Sequence, residues 1–195
     1  MGTIKTTNIE PIADNGTVTL GSSGDTFTVP SGVTVNMSSA TQTGVGGINT
    51  PAFEARNTGT QSGVGDAVWT KMTLNSETYD TDNAFDSSTN YRFTPQTAGK
   101  YFFYTKTKMQ VSGYTYLRTG QIKFYKNGSA IEFTLSSFTP YGDGTGGTGL
   151  SPFASATIDM NGSSDYVEAY FRIDGLSGTN ISSEYHLFGG YKIIT

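Results

Sequence analysis

The chain has no cysteine. Zinc-thiolate sites, cysteine nucleophiles and disulfides are excluded together, so stability has to come from packing and subunit contacts. Charge is also scarce. Asp, Glu, Lys and Arg make up 14% of the 195 residues, well under the usual quarter, so the polar surface must be built from Ser, Thr, Asn and Gly. The net charge is −4 and the few basic residues are scattered, which gives nucleic acid nothing to hold; no nucleic-acid partner is expected. No apolar run approaches the roughly 18 residues of a membrane span, so no membrane insertion is expected. The chain is polar from Gly2 onward, and no signal peptide is expected. Histidine occurs once, at His186, and no Gly-x-Ser-x-Gly elbow, phosphate loop or His-x-x-x-His pair is present. A lone histidine in a strand is more often a core or interface residue than a base. The chain is therefore read as a non-enzyme without a cofactor.

What is present is glycine and aromatic side chain. The 25 glycines fit an all-β protein with many turns, and 13% aromatics are too many for a disordered chain. Two kinds of strand are visible in the second half. Gln121–Lys126, Ile131–Leu135 and Tyr166–Arg172 alternate apolar and polar residues, the pattern of a strand with one wet face. Tyr101–Tyr104 and Tyr185–Ile194 carry bulky groups on both faces. A strand of the second kind needs cover twice, once from a second sheet and once from another copy of the molecule. The expected architecture is a two-sheet sandwich that oligomerises through one sheet.

The chain divides in composition. Residues 1–50 are read as a Thr/Val/Gly-rich arm and linker with three short strands at Gly16–Gly21, Asp25–Pro30 and Gly32–Asn36. Each offers too few apolar side chains for an independent core, so the arm is expected to wind with its own copies or dock on a larger body. From Pro51 the expected strands are Ala52–Asn57, Val68–Asn75, Tyr91–Thr94, Gly99–Gln110, Arg118–Lys126, Ala130–Ser136, Phe153–Asn161, Tyr166–Ile173 and Glu184–Ile194. Lys126-Asn127-Gly128-Ser129 and Asn161-Gly162-Ser163-Ser164 read as tight turns. Val111–Leu117, Ser137–Pro152 and Asp174–Ser183 are long connections. Counting strand directions places both tight turns at one end of the sandwich and all three long connections at the other.

Several motifs carry a resemblance. Pro51-Ala52-Phe53-Glu54-Ala55, the stretch Asn83-Ala84-Phe85-Asp86 to Tyr91-Arg92-Phe93-Thr94-Pro95 and Gly99-Lys100-Tyr101-Phe102-Phe103, the hairpin Lys126-Asn127-Gly128, the triplet Asp165-Tyr166-Val167, and Phe188-Gly189-Gly190-Tyr191 occur in order. Together they resemble the globular head of the complement-q and tumour necrosis factor superfamily. In that comparison Ser164 replaces a glycine and Gly189 occupies a variable place. The resemblance covers about residues 51–195. It implies an all-β, ten-stranded jelly-roll sandwich that forms a tight homotrimer through its inner sheet, with Tyr101, Phe103, Tyr185, Leu187 and Tyr191 as interface residues. There is no collagen-like repeat before it. The arm is instead similar to the attachment arms of bacteriophage fibre and capsid-fibre proteins.

Candidate binding residues fall in the long connections: Tyr114, Tyr116, Tyr141, Asp143 and Asn180, amid Gly and Ser. Tyr, Ser, Gly and Asn compose adaptable recognition surfaces, and tyrosine also stacks on sugar rings. Asp80 and Asp82 are calcium candidates, although their spacing falls short of a calcium loop and favours a solvated turn. The resulting expectation is a viral structural protein on the virion surface: a homotrimeric fibre or knob, joined to other virion proteins through residues 1–50, adhering to a host-surface glycan or protein receptor. The alternatives are a capsid or tail decoration without a receptor, and a bacterial surface lectin-like module.

Overall fold

The computed structural model describes residues 19–35, 49–111, 117–139, 149–175 and 181–193. The chain forms two compact units, Met1–Val45 and Gly46–Thr195. In the first unit the described residues contain turns but no strand. Asp25 caps one turn, accepting the Ser22 N–H at 2.7 Å. The three expected strands are thus not seen over residues 19–35. An extended segment becomes a strand only with a neighbour to take its backbone hydrogen bonds, and Phe27, Val33 and Val35 remain exposed.

The second unit is an all-β, two-sheet antiparallel sandwich. Its strands are β1 (Ala52–Arg56), β2 (Gln61–Ser62), β3 (Thr70–Lys71), β4 (Ser76–Asp80), β5 (Phe85–Asp86), β6 (Arg92–Phe93), β7 (Ala98–Val111), β8 (Leu117–Lys126), β9 (Ser129–Ala130), β10 (Ser136–Phe138), β11 (Gly149–Leu150), β12 (Phe153–Asn161), β13 (Val167–Gly175) and β14 (Ile181–Lys192). The first sheet runs β11-β7-β14-β1-β4, with β12 also on β7 and β2 on β14. The second runs β10-β8-β13-β6-β5, with β3 on β13 and β9 on β8. The expected count of ten strands becomes fourteen because irregular stretches contribute pieces of two or three residues.

The aromatic residues of the sequence motifs build the core. Phe53 stacks on Phe93 at 4.2 Å and on Phe85 at 5.0 Å, and meets Phe188 edge-on at 4.9 Å. Phe103 joins the cluster between Phe53, Phe93 and Phe124. All but Phe85 are fully buried, each side chain being worth about 1.5–3 kcal/mol of burial.

Two other motifs meet in space. Asp165, nearly buried, accepts from Asn127 Nδ2 at 2.8 Å and the Asn161 N–H at 2.9 Å, and pairs with Lys126 Nζ at 2.7 Å. The Asn127 bond, then Lys126, hold its carboxyl below the usual range. This knot fastens both tight turns to one another at the Pro51 end. Gly162 there has φ +71°, and a Cβ on it would lie 2.2 Å from the Ala98 nitrogen, so only glycine fits. At the opposite end, Val111 pairs with Ile181, Leu117 with Gly175, and Gly149 with Gln110. The strand ends bordering the three long connections therefore gather together, as the counting of strand directions predicts.

Two expectations about strands need correction. Ile131–Leu135 is not an alternating strand: Glu132–Thr134 is a 3-10 turn with Phe133 exposed. Thr134 causes the break, its Oγ1 donating to the Ile131 carbonyl at 2.7 Å while accepting the Phe124 N–H at 2.9 Å. The outward faces of β8 and β13 are also only partly wet. Lys123 and Glu168 point outward yet are 5% and 4% exposed. Trp69 lies over the Lys123 ammonium at 4.3 Å, and Lys71 Nζ reaches Glu168 Oε1 at 2.5 Å.

Candidate functional site on the outer face of the first sheet

β7 alternates with a strict period. Tyr101, Phe103, Thr105, Thr107, Met109 and Val111 are buried, while Phe102, Tyr104, Lys106, Lys108 and Gln110 take the other face. Antiparallel pairing extends that outer face across the sheet in rungs. One rung is Thr157, Phe102, Tyr191 and Ala52. The next is Ser155, Tyr104, Gly189, Glu54 and Tyr79. The third is Phe153, Lys106, Leu187 and Arg56. The face thus grades from aromatic near Pro51 to cationic toward the far end.

The middle rung is closely built. The Tyr104 ring crosses Gly189 so tightly that a Cβ there would lie 2.4 Å from the ring. Its hydroxyl donates to Glu54 Oε2 at 2.9 Å. Burial, then the hydrogen bonds with Glu54 and Tyr79, push this phenol well above the ordinary tyrosine range, so it stays neutral. Phe102 packs on Tyr191 at 5.6 Å. Among the described residues Phe102, Tyr104 and Tyr191 are only half-buried, and Phe153 and Tyr79 beside them are 56% and 43% exposed.

A bulge interrupts β14 beyond this patch. Lys108 pairs with Glu184 and Lys106 with Leu187, so Thr107 alone faces both Tyr185 and His186. Tyr185 accommodates the extra residue at φ 55°, an unusual conformation for a bulky side chain, and is swung outward to 67% exposure. His186 is turned inward and buried. Its Nε2 lies 2.8 Å from Ser183 Oγ, which in turn lies 2.6 Å from Thr107 Oγ1. Its Nδ1 has no partner. Burial pulls its pKa down to about 4, so the ring is neutral at ordinary pH. Ser183 is itself fully buried.

The expected interface residues divide. Tyr185, Leu187 and Tyr191 lie on the outer face. Tyr101 and Phe103 do not: both are fully buried between the sheets of one subunit, Tyr101 bonding the Thr97 carbonyl at 2.7 Å. Phe102 and Tyr104, the alternate residues of the same run, occupy the outer positions instead. Period-two alternation separates the two sets but does not say which faces inward when both are aromatic. Glu54, Tyr79 and Gly189 carried no signal for this face in the sequence.

Tyr114, Tyr116, Tyr141, Asp143 and Asn180 lie outside the described residues. Asp80 is committed to its own turn, accepting the Phe85 N–H at 2.7 Å and the Asp82 N–H at 3.3 Å, while Asp82 accepts from the Thr81 hydroxyl at 2.5 Å. Among the described residues no group of three or more His, Asp or Glu could hold a metal, and no helix is long and apolar enough to cross a membrane.

The fold and face define an all-β sandwich with one unclosed aromatic sheet surface. The chain is similar to solved structures of the Eiger tumour necrosis factor of S. frugiperda (13% identity, TM-score 0.49, covering 73% of this chain and 91% of that one) and the globular domain of the zebrafish complement 1qA protein (16% identity, TM-score 0.42, 73% and 96%). It is also similar to murine APRIL at 10% identity, with a TM-score of 0.45 and coverage of 73% and 98%. No family model matches the chain. No curated protein matches it.

Proposed function

We propose that this protein is a homotrimeric binding module whose heads associate through the outer face of the first sheet. The observation that carries the reading is the patch of Phe102, Tyr104 and Tyr191 over Gly189, held in fixed shape by Glu54 and left without cover. An aromatic face of this kind is normally buried against a partner, and a permanent interface buries on the order of 2,000 Å² or more. Leu187 extends the patch, while Tyr185 stands at its margin. Sedimentation of the full chain tests the reading: a trimer at micromolar concentration is expected, and a stable monomer would end it.

Within that reading, the module belongs to a bacteriophage virion as a surface fibre or knob. Residues 1–50 join it to other virion proteins, and the long connections at the far end meet a host-surface receptor, a glycan or a protein. The exposed Leu20, Phe27, Val33 and Val35 support a docking role for the arm, because no described residue buries them. Tyr114, Tyr116 and Tyr141 are assigned to receptor contact. Three copies multiply a weak single-site affinity. Particles carrying Ala at those three tyrosines should adsorb to host cells more slowly while keeping an intact trimer. Unchanged adsorption would favour a decoration protein without a receptor.

A further inference from the structure

Beyond the aromatic rungs, the outer face of the first sheet opens into a cavity of about 590 Å³ between the end of β1, the segment that follows it and the bulge of β14. Its walls include Arg56, Lys106, Thr60, Tyr185 and Leu187. Three features set it apart from an ordinary surface dent. Arg56 and Lys106 flank Leu187 in one rung, and neither has a carboxylate within ion-pairing distance among the described residues, unlike Lys71, Lys100, Lys108, Lys123 and Lys126. Glu184, the acid in the wall, is already held by Lys108 at 2.7 Å and by the Gln110 side-chain amide. Tyr185 is presented by a strained bulge. Lys108 covers one face of its ring at 5.5 Å, which leaves the other open.

We infer that this cavity is a binding site for a carboxylated sugar unit, such as a uronic acid. Two cations on either side of Leu187, without a carboxylate partner among the described residues, call for an anion, and the Arg56 guanidinium matches a carboxylate in a two-pronged contact. The open tyrosine ring suits the C–H face of a pyranose, and the Thr60 hydroxyl lies in the same wall to meet its hydroxyls. This deepens the reading of the head as a binding module and rests on it.

Titration of the full chain with glucuronate, glucose and acetate tests this, with sedimentation run on the same samples. Glucuronate should bind about tenfold more tightly than glucose, which lacks the charge, and than acetate, which lacks the ring. Arg56→Gln and Lys106→Gln should each weaken glucuronate about tenfold with the fold intact, since both side chains are exposed. Tyr185→Gly should relieve the backbone strain and bring glucuronate and acetate to equal affinity. Equal binding of glucuronate and glucose by the unaltered chain, equal binding of glucuronate and acetate, or indifference to both Gln variants would overturn the inference. A trimer that binds no glucuronate overturns it alone, whereas a monomer that binds glucuronate overturns the trimeric reading and leaves the site standing.

Discussion

On the second sheet, the outward side chains of β8 and β13 include a lysine and a glutamate that are almost fully buried. On the first sheet, the outward side chains of β7 and β14 include Phe102, Tyr104 and Tyr191, which are half-exposed. The polar face is closed by the chain itself: Trp69 and Tyr125 flank Lys123, Lys71 pairs with Glu168, and Tyr125 stacks on Tyr170 at 3.9 Å. The aromatic face has no such cover among the described residues. Charged groups on a sheet can be satisfied locally by a few well-placed side chains. A broad aromatic surface can be satisfied only by another surface of similar breadth, which the described residues do not supply.

The largest effect should come from making the open face resemble the closed one. Phe102→Glu combined with Tyr191→Glu puts two carboxylates per subunit into the proposed interface. Trimer should be lost entirely, with a folded monomer by sedimentation and circular dichroism. Retention of the trimer would show that association uses another face.

A perturbation between the sheets leaves both outer faces untouched. His186 is neutral in the folded chain, its pKa pulled to about 4 by burial, against an ordinary value of 6.5. As pH falls below 6.5 the unfolded chain takes up a proton that the folded chain refuses. His186 should therefore withdraw stability between pH 6.5 and about 4, by up to about 3 kcal/mol, with no further loss from this group below that. Denaturant melts across that range should show the slope in the parent chain and not in His186→Gln.

The closed face should respond asymmetrically. Lys71→Met leaves the Glu168 carboxylate buried without its cation and should cost about 2 kcal/mol, a value discounted for the partial exposure of Lys71. Glu168→Gln leaves a lysine that can turn to solvent and should cost about half as much. Equal losses in denaturant titrations would mean that Glu168 is better solvated than its burial suggests. The smallest effect belongs to the arm. Phe27→Ser removes an exposed side chain and should move the melting of the head by less than about 0.5 kcal/mol.

Part of the core was legible in the sequence because Phe53, Phe85, Phe93 and Phe188 stand in the ordered motifs, between turn residues. The phase of β7 was not legible, because Tyr-Phe-Phe-Tyr offers the same chemistry to both faces, and only the opposing Phe93 and Phe53 decide which pair is enclosed. β4 was invisible because Ser76–Asp80 holds one apolar side chain, Tyr79, and owes its extended form to pairing with β1. The covered outer face of β8 was misread because alternation reports polarity, and polarity equals exposure only where no neighbour supplies a counter-charge. The cavity beside Tyr185 depends on a bulge, and one extra residue in a strand leaves no mark in composition.

The Asn127–Asp165 knot and the crowded Gly162 place two intolerant features of the sandwich at one pole. At the other pole the strands simply end, in register and side by side. Such a molecule divides its heredity. One pole must be copied almost unaltered through descent, because a single added carbon strikes the backbone there. The other can accept insertions, exchanges and wholesale replacement of its connecting segments without disturbing the pairing beneath. Lineages of this protein should therefore diverge fastest in length and composition at residues 112–116, 140–148 and 176–180, and a foreign peptide grafted there should be carried by an unchanged scaffold.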